Sequence, residues 1–236
     1  MIMKNRLTSR TNSQAGIGLI EIMIALALGA IILLGVTEIA TNNSRTRGEL
    51  ERAGRQIESA TYALRVLESD LANAGYWGES GEQPAAGTLP PVCPGLGADL
   101  AVAGAELTAA MGYPVQGQDA LGTSCVTPKA STDFIAIRRA NSCALGVAGC
   151  DAAAGNFHIQ TNACFDPDDS SAPLPGDILL DMDLTNLVYT RRDCTSAAPQ
   201  YRLLSRVYFI TASDQLVRAE LVGSGATDYV ETVLVE

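Results

Sequence analysis

A single carboxylate stands inside the longest apolar run of the sequence. Glu21 is the only charged residue between Ile17 and Thr37, and the residues before this block contain Lys4, Arg6 and Arg10 but no acid. At about 1.5 Å per residue, the block as a helix matches the ~30 Å core of a bilayer. Basic residues before a span favour a cytoplasmic N-terminus and an exported remainder. A carboxylate in such a span costs several kcal/mol unless it finds a partner, so Glu21 requires an explanation.

Six cysteines follow the apolar block, and none of them forms a C-x-x-C pair, which disfavours a zinc ribbon or a thioredoxin-type site. An even number of cysteines beyond an export signal predicts disulfides. Six cysteines allow fifteen pairings. Joining nearest neighbours along the chain selects three of the possible bonds, namely Cys93–Cys125, Cys143–Cys150 and Cys164–Cys194.

The remaining candidates for chemistry are weak. Asp166, Asp168 and Asp169 form an acidic loop whose carboxylates could hold Ca²⁺, but the spacing lacks the glycine and the terminal glutamate of an EF-hand, which favours a solvated turn. His158 is the only histidine and is interpreted as a surface or half-buried strand residue. No phosphate loop, nucleophile elbow or paired-carboxylate signature occurs. We therefore predict no catalytic residue, no cofactor and no resident metal.

The composition narrows the class of protein further. The 236 residues include 16 basic and 26 acidic ones, for a formal charge of −10. This balance argues against a nucleic-acid groove, which needs a basic stripe, so no direct nucleic-acid partner is expected. Only one segment is long enough to span a membrane, which excludes a polytopic membrane protein.

The junction between the basic leader and the apolar block carries the most specific motif. A signal peptide would have an apolar run of about 7–15 residues and a small-residue cleavage site, and a plain signal anchor leaves Glu21 unexplained. The sequence Gly16-Ile17-Gly18-Leu19-Ile20-Glu21 resembles the class III signal of type IV prepilins and pseudopilins. The resemblance implies that a prepilin peptidase cuts between Gly16 and Ile17 and N-methylates Ile17. The chain departs from the family at Ile17 and Gly18, where phenylalanine and a hydroxyl residue are most common.

Cleavage would give Glu21 a partner. It creates a free α-amine on Ile17, and unlike charges attract strongly where the dielectric constant is low. We hypothesise that Glu21 pairs with the amine of a neighbouring subunit and sets the axial stagger during assembly. Removal of the three leader cations would change the formal charge from −10 to −13.

One long helix is predicted from about Ile17 to Ala74, with Gly75 as the residue that ends it, because no proline occurs in this range. Its second half carries an apolar seam with a seven-residue period. A coiled-coil dimer and packing against the chain's own head are the two interpretations of this seam, and the directly following globular part favours the second. The seam consists of Leu50, Ile57, Leu64 and Leu71, interleaved with Ala53, Ala60, Leu67 and Ala74.

The rest of the chain predicts a β-rich head. Residues 79–130 are rich in glycine, proline and alanine, with a short helix expected near Ala103–Met111. A helix followed by strands indicates an α+β fold with a mostly antiparallel sheet, as in the pilin fold. Ser213-Asp214 is expected to form a hairpin turn. The predicted strands are Asp133–Arg139, Asn156–Thr161, Asp177–Asp181, Leu187–Arg192, Arg202–Ala212, Gln215–Val222 and Tyr229–Val235.

The end of the helix, residues 68–78, resembles that of PilW-type minor pilins, with weaker similarity at residues 132–140 and 206–210. This resemblance implies a leader at 1–16, a transmembrane and polymerisation helix at 17–44, an amphipathic upper helix at 45–78 and a disulfide-containing head at 79–236. The PilW-type chains commonly continue further, so the final strand is expected to be incomplete or the chain shortened.

The same resemblance implies a non-enzymatic role in initiating pilus assembly, and through it in adhesion, twitching motility and DNA uptake. The implied partners are prepilin peptidase, other minor pilins, the major pilin and a tip adhesin. The implied location is the inner membrane, crossed once with the head in the periplasm, and then the fibre. A J-type pseudopilin of type II secretion is the first alternative, and a membrane-anchored envelope enzyme or metal-binding domain is the second.

Overall fold

The fold is taken from a computed structural model, which describes residues 16, 18–80, 83–95, 100–119, 125–150, 155–223 and 227–235. Contacts divide the chain into two compact units at the Gln56–Ile57 boundary. In its described part, the first unit consists almost wholly of helix. The second unit contains the end of that helix, a short helix and a sheet. These elements make an α+β architecture with a long N-terminal apolar helix and an antiparallel sheet, as predicted.

Helix α1 extends over Leu19–Ala72, close to the predicted range. It ends where Gly75 adopts a φ of +75°, a conformation that side chains rarely accept. A Cβ at Gly75 would lie 2.8 Å from the Gln83 amide and 3.0 Å from Pro114. The Gly75 N–H donates to the Arg138 carbonyl at 3.0 Å, so the chain leaving α1 runs directly onto the sheet.

In the described part of the chain, seven antiparallel strands form the sheet: β1 (Val115–Asp119), β2 (Asp133–Ala144), β3 (His158–Thr161), β4 (Ile178–Asp181), β5 (Gln200–Ile210), β6 (Leu216–Gly223) and β7 (Thr227–Val235). Strand β5 lies at the centre of the sheet. On one side, β5 pairs with β2, and β2 pairs with β1. On the other side, the first part of β5 pairs with β3 and its second part with β6. Strand β3 then pairs with β4, and β6 pairs with β7.

The two faces of the sheet differ in chemistry because side chains alternate along each strand. Helix α2 (Leu100–Met111) buries Ala103, Leu107 and Met111 in the main hydrophobic cluster, on the same face as Phe134. The opposite face meets the end of α1, which buries Ala63 and Asp70. The hydrophobic core therefore lies between the sheet and α2, while the contact with α1 includes a buried charge.

One predicted strand is absent from the structure, and one observed strand was not predicted. The segment Leu187–Arg192 forms no strand, because its one bridge joins Thr190 to Ala197 and the Tyr189 N–H bonds to the Gln160 side chain instead of to a neighbouring strand. The prediction also missed β1, whose polar sequence carries no strand-like alternation yet pairs residue for residue with β2.

The turn and the short helix agree with expectation. Between β5 and β6, the Thr211 N–H donates to the Gln215 carbonyl at 2.9 Å and Asp214 has a φ of 63°, which makes the predicted hairpin turn. Helix α2 begins a little before its predicted range and ends at Met111 as predicted.

The prediction that the leucine seam packs on the head is wrong. Its main positions are exposed, from 40% at Leu71 to 68% at Ile57. The side of α1 that faces the sheet instead carries Ala63, Val66 and Asp70, with Leu67 and Ala74 at its margin. The apolar period thus marks a surface that the head leaves uncovered.

Candidate functional site

The predicted cleavage position lies immediately before α1. Gly16 is exposed, lies outside regular secondary structure, and has nothing within 4 Å of a Cβ built on it. Ile17 lies outside the described residues. The Gly18 carbonyl accepts the N–H groups of Glu21 at 3.0 Å and Ile22 at 3.3 Å, so the helix begins directly after the glycine. An exposed backbone outside a helix is the form in which a peptidase can bind a chain.

Glu21 lies in the first turn of α1, where a negative charge is stabilised by the helix dipole. Its side chain is exposed and forms no ion pair or side-chain hydrogen bond with any residue that the structure describes. The unsatisfied carboxylate is consistent with a partner on another subunit, although its assembly role stays a prediction.

The first part of α1 is apolar on all sides. An 18-residue window within the helix has a mean hydropathy of 2.7 and is 0% buried, so the helix is long and apolar enough to cross a membrane. Leu19, Ile20 and Ile32 are each 64–79% exposed, and at about 100° per residue they point in three different directions around the helix. A helix that is apolar all round requires lipid or other helices around it.

Asp70 is the residue that sequence reasoning missed. Its Oδ1 accepts Arg139 Nε at 3.0 Å and Arg206 Nη1 at 2.7 Å, while its Oδ2 accepts the Tyr208 hydroxyl. Arg139 lies on β2, and the other two residues lie on β5. One carboxylate of α1 therefore connects the helix to the two central strands. The available signal was its place in the stripe Ala63–Val66–Asp70, which a search for apolar residues alone discards.

The electrostatics of Asp70 favour its ionised form. Burial raises the pKa of Asp70, but hydrogen bonds from Arg206, Tyr208 and Arg139 outweigh burial and bring the pKa below the ordinary 3.8. Burial and then the bond to Asp70 raise the pKa of Tyr208 well above its usual range. The carboxylate therefore stays charged and the phenol stays protonated at neutral pH.

A second carboxylate extends the cluster. Glu220 on β6 accepts Arg202 Nη2 and Arg206 Nε, both at 2.8 Å, and lies 3.8 Å from Arg218 Nη2. These groups continue the charged surface across three strands. The arrangement resembles an ion-pair network and contains no nucleophile paired with a base.

Arg138 occupies the opposite face and is 1% exposed. Its guanidinium donates to the carbonyls of Tyr113 at 2.8 Å and Val92 at 3.0 Å, and to Gln116 Oε1 at 2.9 Å. Burial lowers the pKa of Arg138 to about 10. Arg138 thereby holds the segment that contains Cys93 against the sheet, which is a structural role.

The structure pairs all six cysteines, and the pairs are the same as those obtained by joining nearest neighbours. Cys93–Cys125, Cys143–Cys150 and Cys164–Cys194 have Cα separations of 6.1, 5.7 and 4.9 Å, respectively. The longest links join residues 32 and 30 positions apart. Cross-links of this length restrict the unfolded chain and so stabilise the loop-rich parts of the head.

The acidic loop and the histidine carry no assembled site. Asp166 Oδ1 accepts the Asp168 N–H at 3.0 Å and Asp169 Oδ1 accepts the Ser171 N–H at 2.9 Å, so two of the three carboxylates bind their own turn. Across the described ranges, no group of three or more His, Cys, Asp or Glu residues is placed to hold a metal ion. His158 is wholly buried, contrary to the predicted surface or half-buried position, with Nδ1 2.9 Å from the Asn156 carbonyl.

Comparison with known proteins identifies a family motif at the N-terminus. The family model of the prokaryotic N-terminal methylation motif matches residues 11–37, which include Gly16, Ile17 and Glu21. No curated protein and no solved structure matches the chain. The motif implies processing by a prepilin peptidase and assembly with other pilins in the membrane, and with the apolar helix it fits anchoring in the inner membrane. Motif and architecture together support a type IV pilin or pseudopilin, a structural protein.

Proposed function

We propose that this protein is a minor pilin of a bacterial type IV pilus, similar to the PilW type, that takes part in initiating fibre assembly. Through the fibre it supports adhesion, twitching motility and DNA uptake. The observation that carries the proposal is the methylation motif at residues 11–37, whose residues from Leu19 onward form a helix with an exposed apolar part and Glu21 in its first turn.

The mechanism assigns a role to each part of the chain. Residues 1–16 are a leader removed by prepilin peptidase at Gly16, and residues 17–44 hold the subunit in the membrane and later polymerise. Residues 45–78 connect this segment to the head at 79–236, which faces the periplasm and then the cell surface. Leaving lipid gives little hydrophobic gain, so the free energy of assembly comes largely from packing between helices.

The exposed leucine seam adds support for assembly through α1. The side chains of Leu50, Ile57 and Leu64 are each 66–68% exposed. Large apolar side chains repeated along one side of a helix match the surface of a partner helix. The proposed partners are the major pilin, other minor pilins and a tip adhesin, and the subunit itself carries out no chemical reaction.

A clean deletion tests the proposal against its nearest alternative. Loss of surface pili and twitching, restored by the complete gene, with unchanged secretion of exoproteins, is the expected result. Intact piliation with lost secretion would assign the protein to type II secretion as a J-type pseudopilin. Mass spectrometry of the processed protein should find an N-methylated Ile17 at its N-terminus, and retention of the leader would contradict the proposal.

A further inference from the structure

A groove of about 330 Å³ lies on the side of the sheet that faces α1. The helix contributes Tyr62, Arg65 and Val66 to its lining, and the strands contribute Arg139 and Arg206. All of these residues belong to the unit that begins at Ile57. The groove therefore combines an aromatic ring and an aliphatic side chain with three guanidinium groups.

The charge around this groove is not balanced. Within the lining, Arg65, Arg139 and Arg206 face one carboxylate, Asp70. Glu220 also accepts Arg206 but is shared with Arg202 and Arg218, so the ion-pair cluster keeps an excess of positive charge. The chain as a whole carries −10, so the excess stands against the overall sign. The side chains of Arg139 and Arg206 are only 12% and 16% exposed. Water solvates partly buried charges poorly, so an opposite charge nearby stabilises them.

The guanidinium group of Arg65 has hydrogen-bond donors available for a partner. Its side chain is exposed, and it makes no hydrogen bond or ion pair with the residues described in the structure. The Arg65 side chain is exposed, whereas Arg139 and Arg206 are largely buried and bound to Asp70. A planar guanidinium at this position can bind a carboxylate through two parallel hydrogen bonds.

The remaining lining selects the kind of anion. Tyr62 is 57% exposed, and Val66 is half-buried, so an apolar chain bearing the anion would cover them. An acidic amino-acid side chain on a protein supplies both features, whereas inorganic phosphate supplies only the charge. A nucleic acid would be repelled by the net charge of the chain and would need a longer basic stripe. We propose that the groove binds an Asp or Glu side chain of a neighbouring subunit, an inference that rests on the proposed function.

The experiment turns Arg65 into a group that can be cross-linked. In cells carrying full-length Arg65→Lys, a water-soluble carbodiimide activates a touching carboxylate, and the lysine amine displaces the activating group to leave an amide. Arg192→Lys is the matched control, because Arg192 is an exposed arginine of the head outside the groove. The expected result is an intermolecular peptide that joins position 65 to an Asp or Glu of another subunit, absent from the control.

Charge reversal supplies a second readout. Arg65→Glu should lower the amount of subunit in sheared fibres about tenfold, the equivalent of one charge-assisted pair, while Arg192→Glu should not. Formation of the disulfides in both variants checks that they fold. Cross-linking that yields intramolecular peptides alone, for example to Glu68 or Asp70, would overturn the proposal, and so would unchanged incorporation of Arg65→Glu.

Two further measurements separate the possible failures. Inorganic phosphate and a DNA duplex are titrated into the full chain in neutral detergent, and binding lost in Arg65→Glu but kept in Arg192→Glu would overturn the assignment to a protein carboxylate. The digests used for cross-link mapping also show the N-terminus. A methylated Ile17 without the cross-link overturns the groove alone, whereas a retained leader overturns the proposed function.

Discussion

At the scale of single residues, Asp70 shows how one polar side chain can decide where a helix lies. Its carboxylate is bound by Arg139, Arg206 and Tyr208, and the side chain is only 2% exposed. Removal of one partner from a buried ion pair leaves an uncompensated charge, which destabilises far more than loss of a surface pair. The same reasoning explains why Asp70 is tolerated in a helix face that is otherwise apolar.

Asp70→Asn should lower the free energy of unfolding of the head by about 3 kcal/mol, because Arg139 loses its countercharge and Arg206 keeps only Glu220. Thermal unfolding of the full chain in neutral detergent measures the change. Asp214→Asn is the control, since the Asp214 side chain is 72% exposed in its pair with Lys129 and such pairs contribute little. Equal effects of the two substitutions would contradict the role of Asp70.

The pH dependence of stability follows from the same carboxylate. The folded-state pKa of Asp70 lies below the ordinary 3.8, so ionised Asp70 stabilises the fold above that value. We expect this contribution to disappear as the pH falls below 3.8 through the lowered pKa. Unfolding measured from pH 5 downward should show a steeper loss of stability in the natural chain than in Asp70→Asn.

Glu21→Ala tests the charge in the apolar segment. Because Glu21 is exposed and unpaired in the described part of the chain, the substitution should leave the stability of the head unchanged. It should strongly reduce the amount of subunit in sheared fibres, since the proposed pair with the Ile17 amine is lost. Glu38→Ala, another exposed glutamate of α1, is the control. Normal incorporation of Glu21→Ala would refute the pairing.

At the scale of elements, one side of α1 contacts the sheet and another side is exposed. With 3.6 residues per turn, the leucine seam lies about 120° around the helix from the stripe that contains Ala63 and Asp70. The stripe combines Ala63 and Val66 with the charged Asp70, and these short side chains allow the strands to approach closely. The seam uses large residues, which the head leaves exposed. A heptad pattern therefore identified a helix correctly but not the surface that it covers.

Neighbouring positions separate these two sides experimentally. Ala63→Leu should destabilise the head by about 1–3 kcal/mol, because Ala63 is 4% exposed and a larger side chain overpacks the contact. Leu64→Ala should leave stability nearly unchanged, because Leu64 is 66% exposed, but it should reduce incorporation into fibres. Unfolding of both purified variants, with a count of subunits in sheared fibres, checks the pair. The opposite order of stabilities would contradict the assignment of the two sides.

At the scale of the whole molecule, the chain combines an apolar anchor with an acidic, disulfide-linked head. Alkaline extraction should leave the full chain in the membrane pellet. Deletion of residues 17–37 should move the protein to the soluble fraction or prevent its accumulation. Protease added outside spheroplasts should digest the head but spare the segment in the membrane. A head protected from external protease, in spheroplasts whose periplasmic markers are digested, would contradict the proposed orientation.

The sequence by itself determined the features that depend on neighbours along the chain. The apolar span, the helix that ends before Gly75, the hairpin at Asp214 and most strands follow from local composition and period. The glycine–glutamate spacing likewise needs no fold, because the motif lies in a short linear segment.

Only the tertiary structure decided which distant residues meet. Asp70 lies 69 positions from Arg139 and 136 from Arg206, and no local pattern encodes such pairs. Strand β1 forms because it pairs with the edge of β2. The segment Leu187–Arg192 forms no strand because its N–H groups bond to other acceptors, such as the Gln160 side chain. Pairings over long separations depend on the sum of packing, hydrogen bonds and charge in the folded chain. Such pairings are therefore properties of the whole folded chain. The groove lined by Arg65, Arg139 and Arg206 depends on the same long-range contacts.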